Sequence, residues 1–269
     1  MIIEMKFDKF NALTIFFTAI FSIYIIISIF YLFTALGFGS VILEQLFSTR
    51  VLLALWVSVS SSLIVVGISL LFGIPAAWLL ANRDFKGNSV LEAILVLIPV
   101  SYPPGVVGMS YLLIFSPSSP IGAFFTQLGM NPANTFWALI IVKTFISSPF
   151  LTSMLTRKFR DLKKTNIEMI ARSLGASNFK VFYKVSLPMS YKVIASGSAL
   201  TWARAMGEIA GTIVFAGAIE PGVTETIPAI IVFESQVSLP IALTVSMILA
   251  TFSILILVIF KVLLQRGEE

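Results

Sequence analysis

The chain has 269 residues, of which 58% are apolar, 13% aromatic and only 12% charged, with a net charge of +5 and a mean hydropathy of +0.99; this excludes a water-soluble globular domain and points to the membrane. Cysteine and histidine are both absent, which excludes disulfides, thiolate or imidazole metal sites and a histidine proton relay. No Gly-x-x-x-x-Gly-Lys-Ser/Thr loop is present, so the chain has no usual means of binding and hydrolysing ATP itself.

Six apolar segments are each long enough to cross a hydrocarbon layer about 30 Å thick. They lie at about residues 11–36, 52–81, 90–115, 135–155, 193–219 and 239–264. Lipid leaves backbone groups no partner but the chain itself, and these runs are continuous, not alternating ten-residue strands. The fold class expected is therefore an all-α integral membrane protein of about six transmembrane helices. The first segment is too long for a signal peptide, follows Glu4 and Asp8, and precedes no small-residue cleavage site. No internal repeat or linker divides the chain, so residues 1–269 read as one transmembrane domain.

The third segment opens with Ile98-Pro99-Val100-Ser101-Tyr102-Pro103-Pro104-Gly105 and continues to Gly108. Three prolines and two glycines must kink or unwind it. A packing kink and a broken helix beside a translocation path both fit. Lys143 lies inside the fourth segment, where it snorkels, pairs, or adds positive charge to a path.

Between the fourth and fifth segments runs a basic stretch, about residues 157–190. Thr165 and Glu168 have the spacing of a capping box. Ile167, Ile170, Ala171 and Leu174 then fall on one face of a short helix, and Gly175 stands where a left-handed residue would end it. Ser177 can cap a second short helix with Phe179, Phe182 and Val185 as its apolar side, closed by Pro188. Such a face either receives a protein partner or lies on lipid.

In the fifth segment Ala195, Ala199, Ala203, Gly207 and Gly211 recur every four residues, a stripe that allows close helix packing. Beside it Arg204 and Glu208 stand four apart near mid-span, where charges are costly unless paired or wetted. They read as a translocation path or gate, or as a structural ion pair. Of the 18 Lys and Arg residues, 15 fall on one side, including Lys6, Lys9, Arg83, Lys86, the nine from Arg157 to Lys192, Lys261 and Arg266. The positive-inside rule then makes that side, with both termini, cytoplasmic. Arg50 lies opposite, near Glu44, and Glu220, Glu225 and Glu234 occupy the last outer loop. The basic pI reflects this asymmetry and is no argument for nucleic acid.

Gly175, nine intervening residues, then Val185, Ser186, Leu187 and Pro188 resemble the cytoplasmic signature loop of permease subunits of binding-protein-dependent ABC importers. Ala171 also matches; Met169 and Ile170 replace the usual Glu-Ala, and Glu168 is displaced by one position. The segments Phe72–Ala81, Pro99–Phe115 and Gly207–Gly217 with Thr224–Pro228 are similar to the molybdate, tungstate and sulfate permeases. The resemblance spans about residues 52–261 and implies the type I importer permease fold. It also implies a second permease copy, expected as a homodimer, two cytoplasmic ATPase subunits holding ATP and Mg, and an extracytoplasmic substrate-binding protein. No cofactor is expected on this chain. By this resemblance Glu168, Ile170, Ala171, Leu174, Gly175, Leu187 and Pro188 form the ATPase-coupling loop. Arg204, Gly207, Glu208, Gly211, Thr212, Pro103 and Pro104 are the candidates for path or gate. The implied function is ATP-driven oxyanion import across a prokaryotic cell membrane. Rival readings are a permease for sulfate or another solute, a secondary transporter or channel, and a membrane anchor for an enzyme complex.

Overall fold

The computed structural model describes residues 9–34, 44–82, 85–217 and 220–266. Glu4, Lys6, Asp8 and Arg83, the last residues expected of the first and fifth segments, and the side chains of Lys9, Lys261 and Arg266 lie outside the described residues. Every regular element described is helical, as the apolar runs require.

Helix α1 (Lys9–Thr34) is apolar on all sides. Its Phe16, Phe21 and Ile26 side chains are exposed, which suits a helix surrounded by lipid. The centre of the fold is α2 (Thr49–Asn82) against α6 (Phe136–Lys164). Small residues bring these two together: a Cβ added to Gly73 would come within 2.7 Å of Thr152 Oγ1. Buried Ser58, Ser61, Ser62 and Ser69 line the inner face of α2. Their hydroxyls bond to nearby carbonyls or to groups across the interface, so a polar stripe is tolerated without water. Helix α9 (Tyr191–Met206) completes the core, and its Gly197 lies against Leu151 of α6.

The third segment is not one straight span. Residues Asn88–Ser101, here α3, include a π-helical turn at Ala93–Leu97, and α4 (Pro104–Ile114) departs from them at 113°. Tyr102 and Pro103 between them are extended. Consecutive prolines remove two backbone donors, and each pushes its predecessor out of the helical region. Helix α5 (Pro120–Gln127) is capped by Ser119, whose hydroxyl accepts from Gly122 N at 2.9 Å.

The fifth segment is also interrupted, where the sequence pattern predicts a continuous helix. It ends at Met206 and resumes as α10 (Ala210–Ala216), which Gly217 closes in a left-handed conformation, φ 75°. The stripe of small residues therefore divides: Ala199 and Gly211 are buried, whereas Gly207 is exposed. Helices α11 (Ile227–Val237) and α12 (Leu239–Arg266) pack together and return to the N-terminal end of α2. Four described helices are long and apolar enough to cross a membrane, or five with the bent pair counted as one span.

Arg50 does not pair with Glu44. Its Nε and Nη2 donate to Glu225 at 2.9 and 2.6 Å, and its Nη1 donates to Glu234 at 2.6 Å. Glu234 belongs to α11 and not to a loop. A residue at the start of α2 is thus tied to acids 175 and 184 positions away. At the opposite end Arg160 donates to both oxygens of Glu92 at 3.0 and 2.7 Å, joining the start of the third segment to the basic stretch.

Candidate translocation and coupling sites

The two interrupted segments meet. Helix α4 packs on α10, and the contact is made by glycines. A Cβ on Gly211 would come within 2.7 Å of both Pro104 O and Val142 Cγ1; one on Gly108 would overlap the Gly211 backbone. Pro104 and Gly211, far apart in sequence, are therefore neighbours, and Pro103 lies in the extended link just before them.

Glu208 organises the second break. Its carboxylate is 2% exposed. One oxygen accepts from Gly211 N at 2.9 Å, satisfying a free donor of the first turn of α10, and the other accepts from Arg204 Nη1 at 3.0 Å. A negative charge at a helix start is favoured by the peptide dipoles there. Arg204 keeps about a third of its side chain exposed. Thr212 bonds back to the carbonyl of Ile209 at 2.9 Å. Gly207 is exposed in the gap between the helices. Of the membrane cations, Lys143 is completely buried and donates to Ser61 Oγ at 2.8 Å and Ser62 Oγ at 3.4 Å. It neither snorkels nor lines a surface. Arg204 is the accessible charge at this junction.

In the basic stretch α6 runs to Lys164, and α7 (Ile167–Ser173) begins after Asn166, which is left-handed at φ 59°. The capping box is not formed. Thr165 Oγ1 donates to Leu162 O at 2.7 Å, because this residue finishes α6 before it can start α7. Glu168, freed from capping, turns inward and is 2% exposed. The predicted apolar face divides accordingly: Ile167 and Ala171 are partly covered, while Ile170 is 58% and Leu174 84% exposed. Gly175 has the left-handed conformation expected of it, φ 86°, which a β-branched residue resists.

Ser177 caps the next turn, Asn178–Val181 (α8), accepting from Lys180 N at 3.3 Å. A π-helical turn over Phe182–Ser186 follows, then Leu187, half-buried, and Pro188, exposed, opening a 3-10 turn. Phe179 and Tyr183 stack with ring centroids 6.2 Å apart and stand exposed. Phe182 points inward, edge-on to Trp78 at 5.5 Å. Ala171, Leu174, Gly175, Lys180, Lys184 and Val185 surround a shallow hollow of about 350 Å³. The loop therefore presents apolar side chains rimmed by lysines, held from beneath by the ends of α2 and α6.

Residues 69–267 match the model of the binding-protein-dependent transport system inner membrane component family. The chain belongs to that family. As the permease component it is a multi-pass inner-membrane protein of an ABC importer, and ATP hydrolysis belongs to a separate subunit. This permease is 33% identical over 252 residues to the probable transport system permease protein NifC of Clostridium pasteurianum, covering 90% of this chain and 85% of that one. It is 35% identical over 149 residues to the molybdate/tungstate transport system permease protein WtpB of Thermococcus kodakarensis, a match spanning 55% of this chain and 54% of the relative. Its fold is similar to a chain of a bacterial ABC transporter involved in the import of the acidic polysaccharide alginate. There the TM-score is 0.66 at 16% identity, over 95% of this chain and 96% of the other.

Proposed function

We propose that this permease carries a tetrahedral oxyanion, molybdate or tungstate before sulfate, along a path that passes the junction of α4 and α10. The observation that carries the reading is Arg204: a partly exposed guanidinium at the junction, its Glu208 partner buried behind it. A guanidinium offers a planar fork of donors that suits an oxyanion. The relative named for molybdate and tungstate supports the same cargo. In this reading residues 1–269 form one transmembrane domain, paired with a second copy, with both termini cytoplasmic. Residues 157–190 form the loop that receives two ATPase subunits, which hold ATP and Mg. An extracytoplasmic binding protein delivers the cargo to the opposite face. Pro103, Pro104, Gly207, Gly211 and Thr212 shape the gate, and this chain forms no covalent intermediate.

The test is reconstitution in proteoliposomes with the cognate ATPase and binding protein. Molybdate or tungstate is expected to accelerate ATP hydrolysis and tracer uptake, and Arg204→Gln to weaken uptake while the complex still assembles. Stimulation by sulfate alone reassigns the cargo within the oxyanions. Stimulation by a sugar or amino acid, with none by any oxyanion, overturns the reading. Sidedness is tested separately. Single cysteines at Ser118 and Gln236 should react with an impermeant thiol reagent from outside, and those at Lys86 and Lys180 should not.

A further inference from the structure

Glu168 is the buried acid of the signature loop, and the transport reading gives its carboxylate no contact. Its carboxylate is 2% exposed, so a docked ATPase could not reach it without opening the loop. Inside, it gathers three donors. Oε1 accepts from Ser186 Oγ at 2.6 Å, and Oε2 accepts from Arg172 Nη2 at 3.3 Å. The third donor is Asn82, the last residue of α2. With its amide oxygen accepting from Trp78 Nε1 at 3.1 Å, its nitrogen donates to Glu168 Oε2 at 2.9 Å; the opposite orientation would set oxygen against oxygen and donor against donor. Trp78 in turn lies edge-on to Phe182. One carboxylate thus joins α7, the turn before Pro188 and the cytoplasmic end of α2.

We propose that Glu168 is a positioning residue that rivets the signature loop to α2, so that a displacement of the exposed Ile170–Leu174 surface is delivered to that helix. Without the rivet, the short helices would give way on their own, since Asn166 and Gly175 on either side of α7 are both left-handed turns. A buried carboxylate with its donors satisfied resists separation because each donor and acceptor would lose its partner. The proposal rests on the reading of this loop as the ATPase contact.

The experiment uses the assembled transporter and a reversal of hydrogen-bond polarity. Asn82→Asp sets a second carboxylate against Glu168. ATP hydrolysis should continue while uptake per ATP falls about tenfold, because like charges brought together in a covered site repel strongly. In the double variant Glu168→Gln with Asn82→Asp, the amide introduced on α7 donates to the carboxylate introduced at the end of α2, and that carboxylate still accepts from Trp78. Coupling should return to within about twofold of the unaltered protein, the signature of a directly interacting pair. Spin labels at Leu71 and Lys184 give a readout that needs no ATPase. Their distance distribution should be narrow in the unaltered protein and the double variant, and broad in Asn82→Asp. Normal coupling or a narrow distribution in Asn82→Asp overturns the rivet, as does a double variant that assembles without recovering. If instead the ATPase remains bound to a variant with Ile170→Asp and Leu174→Asp, the docking reading fails, while the spin-label result still decides whether the rivet exists.

Discussion

Two carboxylates in this permease are covered to the same degree and paired in the same way, yet they hold different things. Glu168 and Glu208 are each 2% exposed, and each meets an arginine four residues away, Arg172 at 3.3 Å and Arg204 at 3.0 Å. Glu208 spends its other oxygen on Gly211 N, within its own segment. Glu168 spends its bonds on Ser186 and Asn82, which belong to other parts of the chain. The first stabilises a local break in a membrane helix, while the second ties separate elements together. Burial and pairing alone do not tell a hinge from a rivet; the sequence distance to the remaining partners does.

The comparison is broken most forcefully at Glu208. Glu208→Ala strands Arg204 and leaves Gly211 N without its acceptor, and we expect a loss of about 3 kcal/mol, read as a collapse of the melting temperature in detergent. Arg204→Leu with Glu208→Gln removes the charge and keeps an acceptor for Gly211. That double variant should melt near the unaltered protein, assemble with the ATPase, and fail to transport. Near-normal coupled uptake would make the pair purely structural.

A steric change at the same junction should come next. Gly211→Val has no room beside Pro104 O and Val142, and forcing α4 away from α10 should cost about 2 kcal/mol, measured by thermal unfolding. Glu168→Ala should do less to the whole molecule, about 1 kcal/mol, because water can reach the loop once it opens. Its effect should be local. Amide exchange should accelerate across residues 165–190 and stay unchanged in α6 and α9. The smallest stability change is expected for Leu174→Asp, within about 0.5 kcal/mol at so exposed a site. That variant should nonetheless release the ATPase during purification, which separates the outer surface of the loop from its inner anchor.

Much of this was legible in the sequence. The apolar runs identify the helices of the bundle, the Pro103-Pro104 pair requires the third segment to bend, and Gly175 carries the left-handed turn expected of it. The signature loop and its relation to importer permeases follow from the spacing of Gly175, Leu187 and Pro188. The fifth segment was harder to read. Ala195 through Gly211 repeat with a helix period, and the spacing of small residues carries no mark of the backbone break between Met206 and Ala210. A signal was present in Glu208 itself, an acid three residues ahead of Gly211 that could meet the donors of a new helix start. Glu168 departs from its local pattern for a related reason: Thr165 and Glu168 have capping-box spacing, but Thr165 is engaged in ending α6. The partners of Arg50 were beyond any local pattern, since only the completed fold brings them near.

Arg50 and Asn82 are also the near-terminal residues of a single helix. Each of them is fastened, one to Glu225 and Glu234, the other to Glu168. Between them α2 runs 34 residues without interruption, about 51 Å at 1.5 Å per residue. A helix held at both ends behaves as a pushrod. A tilt of about 5° around its middle moves each end by about 2 Å in opposite directions, on the scale of small helix shifts that switch interfaces. Strain entering at the signature loop can therefore reach Glu225 and Glu234 at the other end of the helix along the wall of the protein, without passing through the junction of α4 and α10.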